Sequence, residues 1–239
     1  MKKLGIIGGL GPMASAHFLT LITKMSEAEK DQDHIEIILY SSPGIPDRSA
    51  FITGKSAQSP EPDLLEIAKK LTQAGAEVLA IPCFSAHYFL DSIRKTTNIP
   101  VIDAIAEVAS HLQDLKIKKA GILATDGLLH CGLYQTKLTQ AGIKPLLPEA
   151  DTQKKVVDLI YRIKSGCDID FEEIHLLSQP LFANGAEVVL LGCSDLSIIK
   201  RGQPSQPKYV DVLEILARRA VIECGVLRQE YINFNSIVR

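Results

Sequence analysis

The chain has 239 residues, 46% of them hydrophobic, which is enough to bury a substantial core in one large α/β domain or two smaller ones and excludes a disordered chain. Its 26 basic and 28 acidic residues are interspersed and leave a formal net charge of −2, so no basic stripe follows a phosphate backbone and no nucleic-acid partner is expected. The five cysteines (83, 131, 167, 193 and 224) are an odd, scattered set without a CxxC pair. That pattern argues against a disulfide framework or a zinc cluster, so the thiols are expected to be reduced and no metal is expected.

The chain opens on Met1-Lys2-Lys3-Leu4-Gly5-Ile6-Ile7-Gly8-Gly9, whose apolar stretch is short, breaks at glycines and lacks a following small-residue cleavage site. No apolar run approaches the roughly 20 residues that cross a bilayer, so a soluble cytoplasmic protein with no membrane partner is expected. Short β-branched runs then alternate with amphipathic stretches, as in βαβ units around parallel sheets. The pattern predicts strands near 3–8, 35–40, 77–81, 99–102, 119–124, 143–146, 187–191 and 208–211. Between them it predicts helices over 13–28, 62–74, 86–95, 103–113, 132–141, 152–164, 171–184 and 212–227, the first opening beside Pro12.

An internal echo organises these elements. Gly75-Ala76-Glu77-Val78-Leu79-Ala80-Ile81-Pro82-Cys83 returns 110 residues later as Gly185-Ala186-Glu187-Val188-Val189-Leu190-Leu191-Gly192-Cys193. Lys3-Leu4-Gly5-Ile6-Ile7-Gly8 likewise resembles Lys119-Ala120-Gly121-Ile122-Leu123-Ala124, and Pro100-Val101-Ile102-Asp103 resembles Lys208-Tyr209-Val210-Asp211. One repeated pair is too few for a solenoid, and duplication of a small α/β unit is the simplest account. The expected fold class is therefore α/β, with two pseudo-symmetric α/β domains whose mainly parallel sheets face a shared cleft. Residues 1–103 plus 212–239 are expected to form the first, its C-terminal helix packing back, and 104–211 the second.

Open α/β sheets bind ligands outside the carboxyl ends of their strands, which is where Cys83 and Cys193 lie. Each also precedes a predicted helix, whose N-terminus lowers a thiol pKa toward neutrality. Inverting a tetrahedral carbon by moving one proton needs a base on one face and an acid on the other, and a thiolate and a thiol in alternation supply both. Cys131, Cys167 and Cys224 have no echo and are read as small hydrophobes.

Gly8-Gly9-Leu10-Gly11-Pro12 with Ala14 and Ala16, Gln32-Asp33-His34, Ile45-Pro46-Asp47-Arg48, Pro82-Cys83 with Ala86-His87, Leu123-Ala124-Thr125 and Leu191-Gly192-Cys193 together resemble the aspartate/glutamate racemase family in order and spacing. The resemblance spans nearly the whole chain. It implies a cofactor-independent, pyridoxal-free racemase with two catalytic cysteines, two pseudo-symmetric domains and a homodimeric state, acting on a small-molecule substrate, an amino acid or related carboxylate. By the same resemblance Arg48 and Lys164 anchor substrate carboxylates, as a guanidinium can do bidentately. Leu10 and Gly11, Ser85, Thr125 and Ser194 are further substrate-binding candidates, and His87 and Asp195 are candidates for tuning the thiols.

The family pattern Cys-Asn-Thr-Ala-His is here Cys83-Phe84-Ser85-Ala86-His87, and Cys-Thr-Glu is Cys193-Ser194-Asp195. Phe84, also expected at the substrate, has no hydrogen bond to give it, and Leu128 stands where the family has a hydroxyl. The thiols persist while the pocket changes. A non-catalytic binder of the same fold, and an isomerase or decarboxylase acting on another carboxylate, stay open beside the racemase. Gly9-Leu10-Gly11-Pro12-Met13-Ala14 also fits a dinucleotide fingerprint, but the second strand ends in Leu39-Tyr40-Ser41-Ser42 without the acidic residue that would hold a ribose.

Overall fold

In the computed structural model, which describes residues 1–199, 209–232 and the short strand at 237–238, β1 (Leu4–Gly8), β2 (Ile37–Ser41) and β3 (Val78–Ala80) form a parallel sheet in the order β2-β1-β3. Leu4 stands opposite Ile37 on one side and Val78 on the other. β4 (Lys119–Leu123), β5 (Lys144–Leu146), β6 (Val188–Leu191) and β7 (Tyr209–Asp211) form a second parallel sheet ordered β5-β4-β6-β7, and β8 (Ile237–Val238) pairs antiparallel with β7. The expected α/β class with two similar, mainly parallel sheets holds.

The echo is visible atom by atom. Gly75 and Gly185 both turn at positive φ, +94° and +90°. Glu77 then accepts from the Lys3 amide as Glu187 does from those of Lys118 and Lys119. Asp103 caps the next helix by accepting from the amides of Ile105 and Ala106, and Asp211 does so from those of Leu213 and Glu214. Each cap satisfies amide donors that a helix start leaves open.

The helices are α1 (Pro12–Met25), α2 (Arg48–Ile52), α3 (Glu61–Gln73), α4 (Leu90–Thr96), α5 (Ala104–Asp114), α6 (Asp126–His130), α7 (Leu133–Gln140), α8 (Ala150–Lys164), α9 (Phe171–Ala183), α10 (Val212–Cys224) and α11 (Gln229–Ile232). Strand side chains alternate between faces. Leu4, Ile6, Val78 and Ala80 of one sheet and Ile122, Val188 and Leu190 of the other enter a common central cluster with Phe18, Val108 and Leu216 from α1, α5 and α10. The opposite faces are covered separately. Ile7 and Leu79 pack under Leu64 and Ile67 of α3, and Val189 and Leu191 under Val156 and Ile160 of α8. No helix among the described residues is long and apolar enough to cross a membrane.

Several expected elements are altered. The strand expected over 99–102 is reduced to a bridge between Val101 and Leu79, because Pro100 has no amide to extend a ladder. The helix expected over 86–95 is a 3-10 helix over 84–89 followed by α4; the one expected over 132–141 is α7, and α6, which ends before Gly132 at φ +69°, had no counterpart in the sequence pattern. The helix expected over 13–28 ends at Met25, where the Ser26 hydroxyl donates to the Ile22 carbonyl. Lys208, expected in the last strand, lies outside the described residues. The short helix α2 had no counterpart in the sequence pattern.

Candidate active site

Cys83 and Cys193 lie just past the carboxyl ends of β3 and β6, and both line one small cavity between the two sheets. Neither precedes a regular helix directly. Cys83 caps a 3-10 helix over 84–89 that runs into α4, and Cys193 precedes a single 3-10 turn over Leu196–Ile198, so 3-10 segments stand where helix N-termini are expected behind the thiols. Cys83 Sγ lies 3.5 Å from Ser85 Oγ. Cys193 donates its thiol hydrogen to Asp195 Oδ2 at 3.4 Å, and the same oxygen accepts from Lys164 Nζ at 2.9 Å.

The two thiols differ in their charged neighbours. Burial first, and then the Asp195 carboxylate, push the Cys193 pKa well above the ordinary thiol range, and Lys164 counters them in part. Cys193 is therefore a thiol at neutral pH. Burial works against the Lys164 charge, but Cys193, Asp195 and Cys83 outweigh it and raise the ammonium pKa above that of an ordinary lysine. For Arg48 burial likewise opposes the charge, while Cys83 beside it, with Asp47 and Asp195, raises its pKa. A cation thus stands by Cys83 and a carboxylate by Cys193.

Arg48, buried in the first turn of α2, clamps its own loop. Its Nη1 donates to the carbonyls of Ile45 and Pro46, and Nη2 to that of Leu10. Its Nε is buried with no partner among the described residues, and so is Thr125 Oγ1 at the start of α6. An unpaired buried polar atom costs about 1–3 kcal/mol, so two of them at a cavity mark where a polar ligand belongs.

Leu10, Phe84, Ser85 and Ser194, expected at the substrate, line the same cavity. Gly11 does not. It lies in an adjoining outer cavity, and a Cβ there would sit 3.2 Å from Asp195 Oδ1. Gly9 belongs to the same outer wall, and its φ of +88° and a backbone amide of Ser42 at 2.2 Å from any added Cβ leave room for glycine alone. His87 touches the backbone and not the sulfur. Its Nε2 accepts from the Ala104 amide and its Nδ1–H therefore donates to the Cys83 carbonyl, both at 3.2 Å. Burial pushes its pKa down, so this ring is a neutral brace between the Cys83 turn and α5.

Sequence reasoning missed Asp47, Ser49 and Tyr161 in this lining. Tyr161 precedes Lys164 by three positions on α8, so the two share a helix face, and that spacing is the signal that would have found it. Its hydroxyl donates to Asp47 Oδ2 at 3.4 Å across the cleft. Nearby, α2 packs directly on α6, where a Cβ on Gly127 would come within 2.5 Å of Ser49 Cα. That close approach requires glycine and seats α2 against α6.

The family model described as Asp/Glu/Hydantoin racemase matches residues 7–220. The chain belongs to that family. Within it, this racemase-family chain is similar to the broad specificity amino-acid racemase RacX of Bacillus subtilis (strain 168), at 24% identity over 91% of this chain and 96% of the relative. It is also similar to the solved aspartate racemase of Picrophilus torridus, with a TM-score of 0.86 and 28% identity over 97% of this chain and 98% of that one. The structure of an aspartate racemase homologue from Pyrococcus horikoshii OT3 matches with a TM-score of 0.75 and 26% identity, over 93% and 99% of the two chains.

Proposed function

We propose that the protein is a pyridoxal-independent amino-acid racemase in which Cys83 and Cys193 exchange the α-proton across the two faces of Cα. The observation that carries this reading is that both thiols, from echoed strand ends, line one cavity with opposite charges beside them. In one direction the Cys83 thiolate takes the α-proton. The Cα–H bond breaks as an S–H bond forms, and the electron pair passes into the substrate carboxylate. Cys193 then delivers its thiol proton to the opposite face and is left as the thiolate, and the reverse direction exchanges the roles. Arg48 Nε and Thr125 Oγ1, the two unpartnered polar atoms, are suited to hold the carboxylate as charge develops on it.

Support for the amino-acid class comes from family membership and from the similarity to relatives named as amino-acid racemases. Solvent deuterium incorporation at Cα tests it, measured by mass spectrometry over L- and D-amino acids with the native protein and with Cys83→Ala and Cys193→Ala. Racemisation is expected in the native protein and absent from both variants. Racemisation that survives loss of either thiol removes the two-base mechanism, and silence across the panel moves the reading to another carboxylate or to a non-catalytic binder.

The family resemblance also supports a cytoplasmic homodimer, which sedimentation would detect as a species of twice the 26.1 kDa chain mass. The division into 1–103 plus 212–239 and 104–211 is part of the same reading, supported by the contacts of α10 with α1 and β3.

A further inference from the structure

Resting on the racemase reading, we propose that Tyr134 is the positioning residue for Cys193, and that with His87 it forms a rear brace in which each ring governs one thiol and so one direction of proton transfer. Tyr134 is fully buried in the first turn of α7 and is not part of the cavity lining, so it acts through Cys193 and not on the substrate. Its hydroxyl donates to the Gly192 carbonyl at 3.3 Å. That oxygen belongs to the planar peptide joining Gly192 to Cys193, so the bond fixes the plane from which the thiol side chain departs. Burial, and then Cys193 and Asp211, push the phenol pKa well above its ordinary value, and the hydroxyl keeps the proton it donates. The ring presses on the same residue. A Cβ on Gly192 would sit 3.0 Å from Tyr134 Cε2 and 3.0 Å from the Leu123 carbonyl oxygen, to which the Gly192 amide donates at 2.8 Å. Gly192 is thus held at its amide by the end of β4 and at its carbonyl by Tyr134.

His87 has the matching place at the other thiol, since it joins the Cys83 carbonyl to the amide of Ala104, the first residue of α5. The two rings are linked in turn. Helix α5 packs against α7, and Lys137 Nζ of α7 lies 3.7 Å from Asp103, the cap of α5. Lys137 and Tyr134 are three positions apart and share a helix face. A continuous path therefore runs behind the cavity from the Cys83 carbonyl through His87, α5 and α7 to the peptide of Cys193. It sets how the two sulfurs face the reacting carbon, and a misplacement of about 1 Å at such a centre costs on the order of 100-fold in rate.

Two variants test the proposal: Tyr134→Phe, which removes the hydroxyl and keeps the ring, and His87→Leu, which removes the other brace. Racemisation is measured from the α-protiated and α-deuterated L- and D-forms of aspartate, glutamate, alanine and methionine, with circular dichroism to show that each protein is folded. Tyr134→Phe is expected to lower the rate about tenfold or more. Because the slowed step is the one at Cys193, the α-deuterium isotope effect is expected to grow from the enantiomer that Cys193 deprotonates and to shrink toward one from the other. His87→Leu is expected to reverse that pattern. A general loosening of the fold slows both transfers, so it moves the two isotope effects together. Isotope effects that move together, or a Tyr134→Phe protein with native rates, overturn the positioning role while leaving the racemase reading in place. Absence of thiol-dependent exchange on every amino acid removes the racemase reading and this proposal with it.

Discussion

Asp195 Oδ2 accepts from both Cys193 Sγ and Lys164 Nζ, so one buried carboxylate sits between a proton donor and a cation. When Cys193 acts as the acid, turnover needs its thiol protonated and is lost as pH rises through its pKa. Burial and Asp195 place that pKa high, which puts the alkaline limb of the profile high as well. Asp195→Asn keeps the shape of the side chain, removes the negative charge and leaves Lys164 facing the sulfur unopposed. Both changes favour the thiolate, so the alkaline limb of deuterium exchange is expected to move down by on the order of one to two pH units. The limb is read from exchange rates across pH in native protein and variant, with circular dichroism to show that both are folded. A limb that stays where it was would mean that Cys193 is not the donor in that direction.

Among the elements, the brace at His87 ties the turn carrying Cys83 to the start of α5, and its pH dependence has a definite sign. Burial holds the folded ring below the ordinary value of 6.5. Above that pH neither state takes up a proton. Below it the unfolded chain binds one that the folded chain refuses, so stability falls as pH drops. Gln at position 87 retains one donor and one acceptor and does not titrate. Between pH 7.5 and 5.5 the native protein is expected to lose about 1 kcal/mol more unfolding free energy than His87→Gln, measured by urea denaturation. Equal losses would assign the acid sensitivity to other groups. The sequence made the helix pairing of His87 with the Cys83 turn legible, because the two are four residues apart, but not the Ala104 amide that fixes the ring's tautomer. The same divide runs through the site. Buried apolar runs such as Val188–Leu191, and the repeated Gly-Ala-Glu turns before them, are local signals, so the strands and both cysteine positions could be read directly. Helix α2 could not, because its five residues are held by contacts with α6, remote in sequence. Lys164 and Asp195 were each visible as charges, while their pairing depends on how α8 docks against the end of β6.

At the scale of the whole molecule, the two sheets do not have independent interiors. The central cluster draws Ile6 and Ala80 from one sheet and Ile122 and Leu190 from the other onto α1, α5 and α10, so exposing it opens both sheets at once. Chain length alone would permit stepwise unfolding, since 239 residues exceeds the usual size of a two-state domain. The shared cluster argues for one cooperative transition instead. Leu216 of α10 tests this: it is fully buried in that cluster, on a helix that packs against α1, α5 and β3. Leu216→Ala removes methyl groups from a close-packed interior and is expected to cost about 2–5 kcal/mol. The loss should appear as a single shifted denaturation midpoint with an unchanged slope, followed by tyrosine signals from both sides of the cluster. Tyr40 in β2 and Tyr134 in α7 lie in the two parts of the chain and report separately when each is replaced by Phe in turn. Coincident midpoints mean that the cleft holding the two thiols is maintained by one cooperative core, so a destabilised α10 lowers activity and global stability together. Separated midpoints would show that each sheet keeps its own outer cluster after the central one opens, and that the thiols can part without either sheet unfolding.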